Sequence, residues 1–448
     1  MEVTKRLAEF VCHSDFSDFN AQTLDYTKEL CLSNLGTVVA GSRISTGKIL
    51  ARYAKEIGGK PESGVIGADF RTSAELAALV NGTSAHTTEL EDDSIPDFHY
   101  TCHLIPAMFA LGEKLKANGK TILESIILGF EVQSRLGQLH VRAVQRGFGG
   151  GPFLGNVGAA AAAAKMMGLG VKKTIMAISL GASHAAGLFR QHGSEAHFLE
   201  AGSAGRNGIA SATLARYGIT GDPNIIEGLH GLMDAVAGIP SPVFELGKPF
   251  RILQVGMKKY PCCYTLQRLI DGLLDLMNEY SFTYSDVAGI EVEGNSFFAQ
   301  NIDKPRPTSP AEARFSMQHA LAAVLLEGEP SLITFTDEKI HNPKFQETWK
   351  KIKVVPHPEL EDGIFASGTM GNPVTVKLKN GKKLKKSCIK AHGDPPDLLS
   401  RKEVQQKYRG CVSGILSQKQ AKRAADLLLK LETLPDNLEL MQILTFPE

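Results

Sequence analysis

Six consecutive alanines, Ala159 to Ala164, sit inside a segment (156–167) that shows none of the alternation of a strand. Alanine is the strongest helix former and projects almost nothing beyond its backbone. The segment therefore predicts a helix that other helices can approach closely. Its surroundings agree. Residues 23–39, 73–80, 105–117, 121–136, 173–186 and 208–216 place apolar residues at helical spacing. Three of these runs stop at Gly41-Ser42, Asn81-Gly82 and Asn118-Gly119, all helix-ending signals. No convincing alternating strand appears before about residue 245.

The pattern then changes. Residues 289–294 read GIEVEG, with Ile290 and Val292 on one face and the two glutamates on the other. Residues 373–378 alternate in the same way, and Asn380-Gly381 follows, a two-residue hairpin signal in which both turn positions need positive φ. Residues 382–386 would return as a lysine-rich edge strand. Residues 266–277 and 310–327 read as helices, and 400–431 returns to helix with interspersed charge. The expected fold is mainly α with an α+β insertion: a large, discontinuous all-helical domain (1–246 and 397–448) and a smaller α+β lid domain (247–396). Hinges would fall at the proline-rich residues 239–242 and 392–396.

A chain of 448 residues exceeds one ordinary core and suggests two or three domains. The formal net charge of +1 gives no footprint for nucleic acid or an anionic membrane, but leaves room for a small anionic substrate in a local pocket. Residues 1–12 lack the apolar core of a signal peptide, and no apolar run is long enough to span a bilayer. A cytoplasmic location is the expectation. Seven scattered cysteines, with no CxxC pair, predict reduced thiols and no structural metal.

Four segments could carry chemistry. Residues 86–103 crowd Glu89, Glu91, Asp92 and Asp93 ahead of His99 and His103. Enclosed carboxylates repel one another, and a nearby imidazole can pass protons. The same pattern also fits a solvated acidic loop. Residues 146–155, RGFGGGPFLG, offer backbone N–H groups around Gly149 and Gly150 at a helix start, suited to an anion or simply to a turn. Residues 202–208, GSAGRNG, precede another helix with Arg206, fit for a carboxylate or a structural ion pair. Residues 258–263, KKYPCC, bring Lys258 and Tyr260 beside a proline. A thiol there would be a nucleophile only if its pKa were lowered.

In this order, and with PAEARFSMQHALAAVLLEG at 310–328, these segments resemble the MmgE/PrpD family over nearly the whole chain. The resemblance implies a helical domain built from both chain ends plus an α+β lid, a homodimer, and no metal or organic cofactor. It implies a lyase, dehydratase or decarboxylase, acting on a small di- or tricarboxylate by proton transfer beside a carboxylate. An epimerase or isomerase using the same proton abstraction, or a non-catalytic polycarboxylate-binding homologue, are the alternatives.

Carried over residue by residue, the resemblance gives His99, seven residues before Pro106, the acid/base role. Glu89 stands for the family's first aspartate, Asp92 keeps an acid, and Asp93 falls where threonine is common; these three would orient or tune His99. Arg206 and Lys258 would hold carboxylates, with Tyr260, Gly149 and Gly150 lining the substrate. Three departures stand out. A histidine usual before the alanine helix falls near Gly149. A lysine usual nine residues before the arginine is His197, a candidate partial substitute. A histidine shortly after that lysine is matched by Glu200 or Ala201. Poor turnover of 2-methylcitrate and cis-aconitate follows as the expectation.

Overall fold

A computed structural model describes residues 2–94, 101–238, 245–357 and 371–447. Two compact units emerge. One comprises Met1–Gln191, Glu195–Met257 and Ser400–Glu448; the other comprises His192–Ser194 and Lys258–Leu399. The protein is mainly α with an α+β part. Among the described residues no helix is long and apolar enough to cross a membrane. None of the seven cysteines is in a disulfide.

The first unit carries α1 (Val3–His13), α2 (Ala21–Gly41), α3 (Ser45–Ile57), α4 (Ala74–Thr87), α5 (Leu104–Leu115) and α6 (Gly119–Arg135). It continues with α7 (His140–Gln145), α8 (Gly150–Met166), α9 (Val171–Ser183), α10 (Glu195–Tyr217) and α11 (Leu232–Ala237). Side chains cap several starts. Asn20, Ser73 and Asn118 accept from the backbone N–H groups of Thr23, Leu76 and Thr121, satisfying donors that a helix start leaves without partners. The alanine helix α8 packs on α6, α9 and α10. A Cβ on Gly129 of α6 would lie 2.6 Å from that of Ala162, so both small residues are needed where these helices cross.

Short strands also occur early, contrary to the sequence reading. β1 (Ser63–Val65) pairs with β2 (Phe70–Thr72). β3 (Asp92–Ser94) pairs antiparallel with β4 (Val255–Met257), setting Asp92 opposite Met257 and Ser94 opposite Val255. Each has three residues, too few for the period-two pattern to register.

Two helices run past their expected limits. Asn81-Gly82 does not stop α4, which continues to Thr87. The Asn81 amide accepts from the Ile66 N–H (3.0 Å) and donates to the Gly64 carbonyl (3.1 Å), so it bridges to β1 and leaves the helix backbone intact. GSAGRNG does not precede a helix; it lies inside α10, which starts at Glu195. Its glycines are contact points. A Cβ on Gly202 would lie 2.0 Å from the Leu79 carbonyl oxygen of α4, one on Gly205 2.5 Å from the His103 carbonyl oxygen, and one on Gly208 2.3 Å from the Ala159 Cβ of α8. Close approach of three neighbours decided these glycines.

The second unit carries α12 (Tyr264–Tyr280), α13 (Ser296–Ile302), α14 (Pro310–Ala313), α15 (Met317–Glu327), α16 (Asp337–Ile340) and α17 (Pro343–Trp349). The expected helix over 310–327 is broken, because Ser316 accepts from the His319 N–H (3.1 Å) and starts α15 afresh. The strands β5 (Val287–Gly294), β6 (Ile352–Pro356), β7 (Val374–Leu378) and β8 (Lys383–Lys386) form one sheet in the order β6-β5-β7-β8, with β5 and β6 parallel and the other pairs antiparallel. Ile290 and Val292 are buried as expected. The β7–β8 turn differs in detail. Gly381 alone takes positive φ (89°), and its N–H donates to the Leu378 carbonyl (3.0 Å). That geometry is a three-residue loop with glycine in the left-handed position, rather than a two-residue turn.

The chain returns to the first unit as α18 (Arg401–Val412), α19 (Gln418–Leu429) and α20 (Leu438–Thr445). Capping boxes start α18 (Ser400 with Glu403) and α19 (Ser417 with Gln420). The hinge expected at 239–242 lies outside the described residues.

Candidate active site

The first unit gathers one cluster of buried ionisable groups where α4 ends. His86 sits in the last turn of α4. Two residues past the helix, Glu89 takes a left-handed backbone (φ 51°), and its N–H donates to the His86 carbonyl (3.1 Å). Glycine usually ends a helix this way, and a side chain there costs on the order of 1 kcal/mol. The reversal turns the Glu89 carboxylate back toward the His86 ring.

α10 supplies the partner. Where Gly82 and Gly202 let α4 and α10 touch, a Cβ on Gly82 would lie 3.0 Å from the Gly202 Cα. That approach brings His197 to His86 with Nε2 atoms 3.1 Å apart and ring centroids 4.6 Å apart. The Glu89 carboxylate oxygen lies 3.9 Å from His86 Nε2 and 3.8 Å from His197 Nε2. Behind the rings, Glu91 meets His86 Nδ1 at 2.9 Å and Glu200 lies 3.6 Å from His197 Nδ1. His86, His197, Glu89 and Glu91 are each at most 5% exposed. Burial, which disfavours the charged ring, pushes the His197 pKa down, against the pull of Glu200.

The remaining acids point elsewhere. Asp92 accepts from both the N–H and the hydroxyl of Thr101, each at 2.6 Å. Burial raises its pKa to about 6, with the Thr101 donors opposing. Asp93 accepts from the Ser94 N–H at 2.8 Å. The Lys407 ammonium of α18 donates to the Glu91 main-chain carbonyl (2.9 Å). His103 is also buried, meets the Gln133 side-chain oxygen at 2.8 Å, and has its pKa pushed down to about 4 by burial.

Of the residues expected from the sequence, Glu89 and His197 are brought together. His99 lies outside the described residues. Arg206 sits nine residues beyond His197 on α10, about two and a half turns along and on the opposite side. Its guanidinium donates to the Asn207 side-chain oxygen (3.0 and 3.2 Å), and Asn207 in turn donates to Asn156 (3.0 Å). Gly149 is the N-cap of α8, its N–H directed to the Gly187 carbonyl (3.0 Å), and Gly150 is the first residue of that helix. Lys258 and Tyr260 belong to the second unit. Both are buried, and the Tyr260 hydroxyl donates to Asp271 (2.8 Å). Cys262 and Cys263 are buried as well.

His86 carries more of this cluster than the sequence reading gave it. Its signal was present: Glu89 and Glu91 follow at three and five residues, on a chain that must turn there.

Comparison with known proteins agrees with the whole architecture. Residues 5–245 match the profile of the MmgE/PrpD N-terminal domain, and residues 260–433 that of the MmgE/PrpD C-terminal domain. The cis-aconitate decarboxylase of Mus musculus is 26% identical over 438 residues, covering 94% of this chain and 89% of its own length. That of Homo sapiens is 26% identical over 442 residues, covering 95% and 91%. The enzyme of that name from Aspergillus terreus is 23% identical over 475 residues, covering 99% and 96%. With both domain profiles matched along most of its length, the chain belongs to the MmgE/PrpD family.

Proposed function

We propose that this protein is a lyase that decarboxylates or dehydrates a small di- or tricarboxylate, moving a proton at the carbon next to a carboxylate. The observation that carries the reading is the buried pair of imidazoles, His86 and His197, facing the Glu89 carboxylate. The names of its cis-aconitate decarboxylase relatives support the substrate class.

The chemistry needs a group that exchanges one proton with carbon, plus stabilisation of charge on the carboxylate oxygens. In a decarboxylation the bond from carbon to the departing carboxylate breaks, CO2 leaves, and the electron pair left on carbon takes a proton. In a dehydration the proton is removed first and hydroxide departs. An imidazole suits either direction, because it accepts and donates near neutral pH. His99 and His197 are the proton-exchanging candidates, and Glu89 sets the charge beside His197.

The test is proton exchange in deuterated water across a panel of di- and tricarboxylates, followed by NMR together with product formation. At least one ligand should exchange at the carbon beside its carboxylate. Either His99→Ala or His197→Gln should slow that exchange by at least about 100-fold, identifying the proton carrier. Tight binding of panel members with no exchange at any of them would instead make the protein a polycarboxylate binder.

A further inference from the structure

The contacts along the paired rings run in a fixed order. Glu91, fully buried, meets His86 Nδ1 at 2.9 Å. A carboxylate only accepts, so the hydrogen of an uncharged His86 stands on Nδ1. His86 Nε2 is then the acceptor in the 3.1 Å contact between the rings. The hydrogen in that contact belongs to His197 Nε2, since two facing lone pairs or two facing hydrogens would repel. Each ring thereby dictates the tautomer of the next, starting from Glu91.

His197 is left with its lone pair on Nδ1. That is the nitrogen beside Glu200, 3.6 Å away. A proton added to His197 goes there. Glu200 favours the charged ring from that side and Glu89, 3.8 Å from Nε2, favours it from the other. Burial acts the opposite way and draws the ring back to its neutral form. The two ends of the row also differ. Glu91, His86 and His197 are buried, whereas the Glu200 side chain is 17% exposed. The nitrogen that takes the proton is therefore the one on the accessible end. Further titratable groups face the row from outside it. The Cys102 thiol lies within 4.8 Å of the His86 nitrogen and the Glu91 carboxylate, His103 at the start of α5 feels the charge of His86, and Asp92 feels that of Glu91.

We propose that Glu91 is a positioning residue: through His86 it fixes the tautomer of His197, so that His197 takes up and releases its proton at Nδ1, next to Glu200. All four residues belong to the first unit. The role in turnover rests on the proton exchange proposed above for His197, whereas the placement of the hydrogens stands apart from it.

The experiment uses the full chain with 15N-labelled histidine. Long-range proton–nitrogen NMR reads the state of each ring nitrogen across the neutral pH range, with His86→Gln and His197→Gln assigning the signals. Exchange at the carbon of the best panel substrate is followed over the same range. In the wild type, His86 should carry hydrogen on Nδ1 and a bare Nε2. His197 should show the reverse, with Nδ1 as the nitrogen that titrates. Glu91→Gln keeps the shape, removes the charge and can offer an N–H to the ring. It should mix the His86 tautomers and lower kcat for exchange by at least about 10-fold, with KM changed by less than about 3-fold. It should also move the imidazole limb of the pH profile to lower pH, because a negative charge favouring the protonated ring is lost. Glu91→Asp, which keeps that charge, should return the limb toward its wild-type position. His341→Ala, an exposed histidine in the second unit, should change none of these. Circular dichroism first shows that each variant retains its helix content. A wild-type His86 with its hydrogen on Nε2 overturns the proposal. So does a Glu91→Gln variant that is slower while the pH limb and the nitrogen signals stay in place, which is the behaviour of a merely structural residue. The stated tautomers without exchange at any ligand would count against the lyase reading alone, and exchange with the opposite tautomers would count against this proposal alone.

Discussion

His86 and His197 stand 111 positions apart in the chain, yet their Nε2 atoms lie 3.1 Å from each other. The contact exists because α4 and α10 cross closely at Gly82 and Gly202. It also bears on substrate choice. A lysine at the place of His197 would bring a fixed positive charge beside Glu89, whereas burial pushes the His197 ring toward its neutral form. cis-Aconitate and 2-methylcitrate are therefore expected to turn over poorly with the wild-type protein, far below the best panel substrate. Steady-state assays with both compounds check this, and efficient conversion of either would refute it.

Glycine at the helix crossing is a packing requirement. Gly202→Ala would place a Cβ 2.0 Å from a backbone oxygen and 2.3 Å from the Thr83 hydroxyl. The expected cost is about 1–3 kcal/mol, with a matching fall in thermal midpoint. Gly410→Ala serves as the opposite case. Gly410 lies inside α18 with no other atom within 4 Å of its added Cβ, and the change should stabilise by about 0.5–1 kcal/mol. Denaturant unfolding of the two variants should move in opposite directions.

Asn81→Leu tests the bridge between α4 and β1. The side chain satisfies the Ile66 N–H and the Gly64 carbonyl, and is itself fully buried. Leucine would strand both backbone groups away from water, at about 1–3 kcal/mol for each. A loss below about 1 kcal/mol in denaturant unfolding would show that solvent reaches these groups.

His319 predicts a pH dependence in the second unit. Its ring is buried against Phe335, Phe345 and Trp349, and Nε2 faces the Thr334 carbonyl at 2.9 Å. Burial pushes its pKa down to about 4. Between there and the ordinary value near 6.5, the unfolded chain binds more protons than the folded one. Stability contributed by the neutral ring is thus complete above about pH 6.5 and is lost as pH falls toward 4, by about 3 kcal/mol. His319→Phe should flatten the slope of unfolding free energy against pH by about one proton in that window. An unchanged slope would mean that the ring titrates normally.

Much of this was legible in the chain. The alanine run marked α8, the alternation at 289–294 marked β5, and the crowded acids at 89–93 marked the region of the candidate site. Those features are local, since periodicity, composition and charge density act over a few residues. The misreadings were also local signals, overruled by distant partners. Asn81-Gly82 reads as a helix stop until β1 takes up the asparagine amide and α10 presses on the glycine. GSAGRNG reads as an anion-binding helix start until three neighbouring elements are seen to need its glycines.

The sequence by itself determined the helical class, the α+β part and the identity of the acids and imidazoles available for chemistry. Tertiary structure alone decided which of them meet. Whether His197 faces His86 depends on the rotation of α10 against its neighbours, and Arg206, nine residues on, is then carried to the other side of the same helix. That rotation is set by backbone approach at glycines more than a hundred residues apart, an interaction that no short window of sequence contains.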